Sequence, residues 1–161
     1  MTRIKDGDQA YMTAFRGPYD QIPGELSATA APLRKVTRLS EMAPVNLADL
    51  QGNPRDKGRV WPLIARYVNG AEEFDFGVYE LAENEYHPLH YHPAGAEFYY
   101  VIEGSCLVTV DDEMGEASAG TAVYLPAGTP HAVRTRAGET MTMVYGFSSG
   151  DFRDVGTTWL E

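Results

Sequence analysis

Three histidines and one glutamate carry the chemistry that this sequence predicts. His90, His92 and Glu97 lie in one short segment, and His131 lies in a second segment further along the chain. These are three of the four histidines in the protein. Three imidazoles and one carboxylate form a ligand set that suits a first-row divalent metal ion. The sequence therefore predicts a site for one divalent metal ion.

The predicted secondary structure brings these side chains together. Residues i and i+2 of a strand point to the same face, so His90 and His92 can share one ion. A Pro-Ala-Gly turn follows, and Glu97 opens the aromatic and β-branched strand 98–102. His131 comes directly after a second segment rich in Pro and Gly. We expect that turn to bring His131 back into the same interior.

Here the chain resembles the cupin family. The first cupin motif reads Gly-x5-His-x-His-x3-4-Glu-x6-Gly, and the second reads Gly-x5-Pro-x-Gly-x2-His-x3-Asn. The chain matches them with His90, His92, Glu97, Gly104, Gly120, Pro126, Gly128 and His131. Asn84 stands in place of the leading glycine, and Thr135 stands in place of the closing asparagine. Neither position is a metal ligand in the family. The resemblance covers residues 60–148.

The resemblance implies an all-β fold, a cupin double-stranded β-helix or jelly-roll barrel of the single-domain, RmlC-like kind. The spacing of turn residues agrees with an all-β fold, because Gly-containing turns separate short β-like segments. The expected strands are 61–68, 74–81, 88–92, 97–102, 106–111, 121–125, 131–136 and 140–147.

The N-terminal part of the chain differs from the barrel region. Residues 1–58 are rich in Pro, Gly and Ala and carry no recognisable motif. We expect them to form an arm that packs on the barrel or on a partner subunit, while residues 59–161 form the cupin domain. Within the arm, 33–39 is a candidate strand, and Asn46 is a candidate cap for a short helical turn. By the resemblance, such an arm favours a homodimer.

Composition narrows the classes of partner and compartment. The formal net charge of −10 argues against binding to nucleic acid or to an anionic membrane surface. The single cysteine excludes an internal disulfide. The N-terminus lacks the apolar segment of a signal peptide, and no apolar run reaches the roughly 20 residues that span a bilayer. A cytoplasmic location is the expectation that follows.

Strand alternation suggests further site residues. If Glu97 points inward, so does Tyr99, which could donate a proton or orient a ligand; the alternative is an aromatic core residue. If His131 points inward, so does Thr135. His87 could act as an acid or base at the mouth of the pocket, or it could be an exposed loop residue.

Three other residues are candidates for substrate binding. Met143 and Tyr145 belong to an alternating apolar row in the last strand, which is either core or the wall of a carbon-rich pocket. Arg66 could bind a substrate carboxylate if it faces inward, although nothing in the sequence determines its register.

Two classes of function fit this ligand set. The first is a metal-dependent enzyme acting on a small organic molecule. Within it we favour a non-haem Fe(II) dioxygenase or other oxygenase, because histidines and a carboxylate with open positions suit Fe(II). Zn, Ni, Mn, Co and Cu remain possible. The alternative enzyme is a Lewis-acid lyase, isomerase or cyclase, including one similar to the cupin lyases that cleave dimethylsulfoniopropionate. The second class is a non-catalytic, ligand-binding or sensory cupin.

Overall fold

The computed structural model of the chain describes residues 35–161. Within this part the chain forms ten strands and three short α-helices, with a 3₁₀ turn at Leu39–Glu41. The strands are β1 (Val45–Asn46), β2 (Arg59–Ile64), β3 (Asp75–Leu81), β4 (Tyr86–Tyr91), β5 (Glu97–Val110), β6 (Glu113–Ser118), β7 (Ala122–Leu125), β8 (His131–Arg134), β9 (Met141–Phe147) and β10 (Thr158–Trp159). The helices are α1 (Leu47–Gln51), α2 (Arg66–Asn69) and α3 (Phe152–Val155).

The strands form two antiparallel sheets that share the long strand β5. The first sheet runs β1-β2-β3-β9-β5-β7, and the second runs β10-β4-β8-β5-β6. The first half of β5 pairs with β9 and β7, and its second half pairs with β6 and β8. The sheet therefore curls on itself, which confirms the predicted all-β jelly-roll class.

Gly104 lies where β5 passes from one sheet to the other. Its φ of 76° belongs to the left-handed region. A Cβ at this position would collide with the carbonyl oxygen of Thr140. Only glycine allows this close backbone approach, so Gly104 permits one strand to serve both sheets.

The core lies between the two sheets. Inward residues of β3, β5 and β9 form most of it, and α1 and α3 add Leu47, Phe152 and Val155. Burying each large apolar side chain contributes on the order of 2 kcal/mol.

Several predicted element boundaries are wrong. The strand expected at 61–68 ends at Ile64, and Arg66 begins helix α2. The two strands expected at 97–102 and 106–111 are one continuous strand. The described part of the strand expected at 33–39 is irregular and ends in the 3₁₀ turn. Sequence patterning missed β1, β6 and β10.

The described portion of the predicted arm, residues 35–58, contacts the barrel directly. Strand β1 pairs with β2, and Leu47 of α1 is buried in the core. Asn46 occupies the N-cap position of α1, but its side chain makes no capping hydrogen bond. Residues 1–34 of the arm lie outside the described residues, and the boundary between residues 58 and 59 stays a prediction.

The two departures from the cupin motifs meet at one turn. Asn84 has a φ of 58°, a left-handed conformation that asparagine tolerates better than most residues. The hydroxyl of Thr135 accepts a hydrogen bond from the Glu85 backbone N–H at 3.1 Å and lies within bonding distance of the Ala82 carbonyl oxygen. The turn before β4 is therefore held by hydrogen bonds even though Asn84 replaces the glycine of the first motif and Thr135 replaces the asparagine of the second.

Among residues 35–161, no helix is both long and apolar enough to cross a bilayer.

Candidate metal centre

Strands of both sheets and one turn supply the four predicted ligands. His90 lies in β4, and His92 directly follows that strand. Glu97 is the first residue of β5, and His131 is the first residue of β8. His90 and His131 are cross-strand partners. The candidate ligand atoms of these four buried residues all lie within 4.8 Å of one another.

Backbone carbonyl groups orient all three imidazoles. Nδ1 of His90 lies 2.7 Å from the carbonyl oxygen of Pro88. Nδ1 of His92 lies 2.6 Å from that of Gly156, and Nδ1 of His131 lies 2.9 Å from that of Thr129. A carbonyl oxygen can only accept, so each Nδ1 donates. In its neutral form each ring therefore carries its free lone pair on Nε2, which is the arrangement typical of a metal-binding histidine.

Three of the four inward ligand atoms lack a hydrogen-bond partner among the described residues. Nε2 of His90, Nε2 of His131 and Oε2 of Glu97 are buried and make no hydrogen bond of acceptable geometry within the described structure. Oε2 of Glu97 nevertheless lies 3.1 Å from Nε2 of His131 and 3.2 Å from Nε2 of His92. With the rings neutral, these lone pairs face one another, and a cation between them would satisfy all of them. The residues therefore fit a divalent ion.

Burial and mutual contact set the protonation of these groups. Burial lowers the pKa of His90 far below its usual value, and the neighbouring His87 ring lowers it further, so His90 is neutral. Burial opposes ionisation of Glu97, but the facing rings of His131 and His92 hold the pKa of that carboxyl below its usual range. A neutral imidazole and an ionised carboxylate are the forms that coordinate metals.

A fourth histidine joins the cluster through a β-bulge. His87 pairs with Val133 and His90 pairs with His131, so two residues of β4 oppose the single residue Ala132 of β8. The extra residue turns both His87 and His90 inward, and their ring centroids lie 4.2 Å apart. His87 is 4% exposed, so it is not the loop residue that we considered as an alternative.

Asp56 holds the ring of His87. Its Oδ2 lies 2.7 Å from Nδ1 of His87, and its Oδ1 accepts from the backbone N–H of Gly58 at 3.0 Å. Both side chains are buried. The carboxylate therefore orients the imidazole with Nδ1 as donor, and Nε2 is the nitrogen left for another group. Sequence reasoning missed Asp56, because it lies far from His87 in a loop without a spacing pattern.

A cavity opens beside the ligand set. Its volume is about 30 Å³, room for roughly two water molecules. The lining residues come from α1, α3 and the inner faces of the strands: Leu47, Leu50, Gln51, Val60, Tyr79, His87, Glu97, Tyr99, Met143, Tyr145, Phe147 and Phe152. None of these described lining residues is a lysine or an arginine, so the wall offers no cationic side chain.

Besides Oε2 of Glu97, three polar atoms of the cavity wall are buried without a hydrogen-bond partner in the described structure. They are the hydroxyls of Tyr79 and Tyr99 and Oε1 of Gln51. Burial raises the pKa of Tyr99 well above its usual value, and the Glu97 charge adds to this. Burial acts on Tyr79 in the same direction, together with the charge of Asp56. Both phenols therefore keep their protons at neutral pH and can donate hydrogen bonds to a ligand.

The other predicted site residues divide into two groups. Tyr99, Met143, Tyr145 and His87 all line the cavity. Arg66 does not: it lies on the surface, where its guanidinium pairs with Glu72 and Asp154 at 2.8 Å each. The prediction for Arg66 was wrong because β2 ends before it. Thr135 is not among the cavity residues either, since its hydroxyl is used by the turn before β4.

Tyr79 was also missed, although the sequence holds a signal for it. It lies on β3, where the inward positions alternate through Gly77, Tyr79 and Leu81. Without the register of β3 against β9, nothing indicated which set of alternate residues faced the ligands. Leu47 and Gln51 reach the cavity from α1, which sequence patterning could not place against the barrel.

Comparison with known proteins identifies the class. A family profile described as Cupin domain matches residues 77–147. The polyketide cyclase RemF from Streptomyces resistomycificus superposes with a TM-score of 0.61 at 23% identity, covering 74% of this chain and 79% of that chain. At that identity the likeness concerns the fold alone. The profile match, together with the ligand set of three histidines and one glutamate, assigns residues 77–147 to the cupin superfamily.

Curated relatives match parts of the chain. Dimethylsulfoniopropionate lyase DddW from Ruegeria pomeroyi is 34% identical over 93 residues, which cover 55% of this chain and 59% of that protein. Tetracenomycin polyketide synthase protein TcmJ from Streptomyces glaucescens is 27% identical over 106 residues, covering 66% of this chain and 71% of that protein. Across the curated relatives the matched segment spans from 36% to 73% of their length.

Proposed function

We propose that this protein is a metal-dependent enzyme that removes a proton next to a carbonyl or carboxylate group of a small organic molecule, leading to elimination or cyclisation. The observation that carries the proposal is the placement of two unpartnered phenols and a carboxylate-held histidine around the candidate metal ligands. The similarity to a lyase and to proteins of polyketide synthesis supports the same class of reaction.

His90, His92, Glu97 and His131 would hold the ion. A bound divalent ion supplies Lewis acidity that stabilises negative charge on a substrate oxygen. Three neutral imidazoles and one carboxylate leave the complex with a net positive charge. The ligand set therefore favours a substrate whose oxygen becomes negative during the reaction.

Tyr99 and Tyr79 donate hydrogen bonds to the substrate. Their hydroxyls are buried, protonated and without another partner. A donor that is already in place stabilises a developing oxyanion without the cost of reorganisation, and removal of one such donor typically costs on the order of 100-fold in rate. Satisfying these two buried groups also favours binding of an oxygen-bearing substrate.

His87 accepts the proton. Asp56 engages Nδ1 of the ring, so Nε2 is the basic nitrogen, as in the orientation of a catalytic histidine by a carboxylate. In the proposed step Nε2 takes the carbon-bound proton, and the electron pair of the C–H bond moves toward the substrate carbonyl. In an elimination, a double bond then forms while the leaving group departs with its electron pair.

The cavity constrains the substrate. Its interior admits a group about the size of a carboxylate or carbonyl, and apolar side chains such as Leu47, Met143 and Phe152 surround the remainder. With no lysine or arginine in the described wall, any anionic group of the substrate must bind at the ion. We therefore expect a short substrate with one oxygen-bearing end and a neutral or cationic remainder.

The direct test is hydrogen exchange at the substrate carbon. The full-length protein, purified without chelator and with its metal content measured, is incubated in D₂O without oxygen with short carboxylic acids, including dimethylsulfoniopropionate. NMR detects deuterium incorporation next to the carboxylate and any elimination product. We expect exchange or elimination that depends on the metal and continues without oxygen. A metal-loaded protein that consumes oxygen with these substrates and shows no exchange would contradict the proposal.

Variants of His87 and Asp56 connect the test to particular residues. His87→Asn should lower the exchange rate by roughly 100-fold or more while the metal content stays at the wild-type level. Asp56→Asn should lower it less, because the base remains but loses its orientation. Tyr86→Phe, a change on the opposite side of the same strand, is the matched control and should leave both quantities unchanged.

The oxygenase that we favoured from the sequence is the second candidate. The supporting observation is the ligand set itself, since histidines and a carboxylate with open positions suit Fe(II). The same experiment separates the two candidates: substrate-dependent oxygen consumption with iron as the bound metal supports the oxygenase. Ligand binding without turnover, with or without oxygen, supports the sensory alternative.

A further inference from the structure

Gln51 is a polar residue at a helix position that faces the interior. It follows Leu47 by four residues in α1, so both side chains lie on the same face of the helix. Leu47 is buried in the core, and Gln51 lines the cavity beside the candidate metal ligands. Oε1 of Gln51 is buried and has no hydrogen-bond partner in the described structure. A buried acceptor of this kind destabilises the fold unless a ligand supplies the donor.

The phenol of Tyr79 reaches the same end of the cavity as α1. Its ring packs directly on Gly58, where an added Cβ would lie 2.6 Å from the phenol oxygen. The carbonyl oxygen of Gly58 accepts a hydrogen bond from the backbone N–H of Leu47, the first residue of α1, at 2.9 Å. The Tyr79 hydroxyl therefore lies beside the helix that carries Gln51. This hydroxyl is also buried and has no hydrogen-bond partner among the described residues.

The end of the cavity at α1 and the end at the candidate ligands are built on different strands. Tyr79 lies on β3, whereas Glu97 and Tyr99 lie on β5, and β9 separates the two strands. At about 4.8 Å per strand, the backbones that carry the two phenols are roughly 10 Å apart. The ring of Tyr99 lies 6.1 Å from that of His131, measured between centroids. Tyr99 is therefore the phenol at the ligand end, and Tyr79 and Gln51 form the other end.

We propose that Gln51 and Tyr79 together recognise a hydroxyl group, and that the substrate is a short hydroxy acid. A hydroxyl can donate to Oε1 of Gln51 and accept from the Tyr79 phenol at the same time. An ammonium group only donates and an ether oxygen only accepts, so neither satisfies both atoms. A methyl group would leave both atoms unsatisfied. This assignment rests on the proposed function, in which the carboxylate end of the substrate binds at the ion.

The test compares hydroxy acids with methyl acids of the same shape. Isothermal titration calorimetry on the full-length protein, purified without chelator and with its metal content measured, gives the affinities. The pairs are 3-hydroxypropanoate with butanoate, and 4-hydroxybutanoate with pentanoate. At least one hydroxy acid should bind about 10-fold or more tightly than its methyl counterpart.

Variants of α1 connect this preference to Gln51. Gln51→Met keeps the approximate shape of the side chain but removes the acceptor, so the ratio of affinities should fall to about 3-fold or less. Asp49→Asn is the matched control, because Asp49 is exposed on the same helix and does not line the cavity. It should keep the wild-type ratio.

Calorimetry measures binding without turnover, so this proposal and the proposed reaction can fail separately. A hydroxy acid that binds selectively but shows no deuterium exchange would contradict the reaction and support recognition of the hydroxyl. Exchange in acids that bind with equal affinity would support the reaction and overturn recognition of the hydroxyl.

Two further results would overturn the proposal. One is a wild-type protein that binds none of the four acids. The other is a preference for hydroxy acids that Gln51→Met leaves unchanged. If circular dichroism shows that this variant is unfolded, Tyr79→Phe provides the same comparison, because it removes only a hydroxyl that has no partner in the described structure.

Discussion

The two faces of strand β5 reverse the usual pattern of a sheet. Its inner face begins with Glu97 and Tyr99, whose polar atoms are buried without adequate partners. Its outer face carries Phe98, Tyr100 and Ile102, which are apolar and largely exposed. An ordinary antiparallel strand places apolar side chains inward and polar ones outward.

Both departures point to binding rather than to stability. Buried polar atoms without partners destabilise the ligand-free fold and favour any ligand that satisfies them. An exposed apolar face destabilises the isolated chain in water and favours any partner that covers it. The inner face thus carries the ligands of the candidate metal site, and the outer face carries exposed apolar side chains.

The largest effect is expected from removing one of the candidate metal ligands on the inner face. His92→Ala removes one imidazole and should abolish stoichiometric metal binding and lower any activity by roughly 1,000-fold or more. Elemental analysis and the exchange assay measure the two effects. If the variant keeps full metal occupancy, the assignment of the four ligands is wrong.

A second prediction concerns Asp75, a buried carboxylate. Unlike Oε2 of Glu97, Oδ2 of Asp75 has hydrogen-bond partners within the fold. Oδ2 of Asp75 accepts from the Tyr67 hydroxyl at 3.1 Å and from the Phe152 backbone N–H at 3.2 Å. Burial nevertheless raises the pKa of Asp75 from 3.8 to about 6. Because the folded-state pKa is the higher one, stability falls as the pH rises from about 4 to 6, by up to about 3 kcal/mol.

Asp75→Asn should remove that dependence. As the pH rises from 4 to 7, the wild type should lose stability relative to the variant. Above pH 7 the difference between their free energies of unfolding should stay constant. Chemical denaturation at several pH values measures it. Glu73→Gln, an exposed change on the preceding turn, serves as the control and should follow the wild-type curve. An identical slope in the Asp75 variant would show that this carboxyl does not control the dependence.

The smallest change in stability is expected from removing the hydroxyl of Tyr99. Tyr99→Phe removes a buried hydroxyl that has no partner, so the metal-free protein should become more stable by about 1 kcal/mol. The ion should stay bound, while the exchange rate falls by roughly 100-fold. Thermal unfolding and the exchange assay measure both, with Tyr91→Phe as the control. Unchanged turnover would assign Tyr99 to packing alone.

The sequence predicted the features that depend on local spacing. The ligands His90, His92, Glu97 and His131 follow from i, i+2 alternation and from two motifs with turns at their ends. Tyr99 follows from alternation with Glu97. The all-β class follows from short β-like segments separated by glycine turns. These inferences held because the strand period does not depend on what the strand pairs with.

Irregularities in the chain account for the errors. Alternation could not predict that His87 and His90 both face inward, because this requires the bulge opposite Ala132. Pro88, which lies between these two histidines, was the available signal of a bulge. Proline in a sheet is confined to edges, strand starts and bulges. Arg66 was misplaced because the end of β2 depends on a helix whose single turn has no distinct apolar pattern.

The sequence by itself determined which residues can bind a metal and what kind of scaffold holds them. Only the tertiary structure decided which neighbours act with them. Asp56 meets His87, and Gln51 and Tyr79 reach the same cavity, because loops, α1 and β3 converge there from distant parts of the chain. Such contacts depend on long-range strand pairing and on where each element ends, and neither is encoded in the spacing of nearby residues.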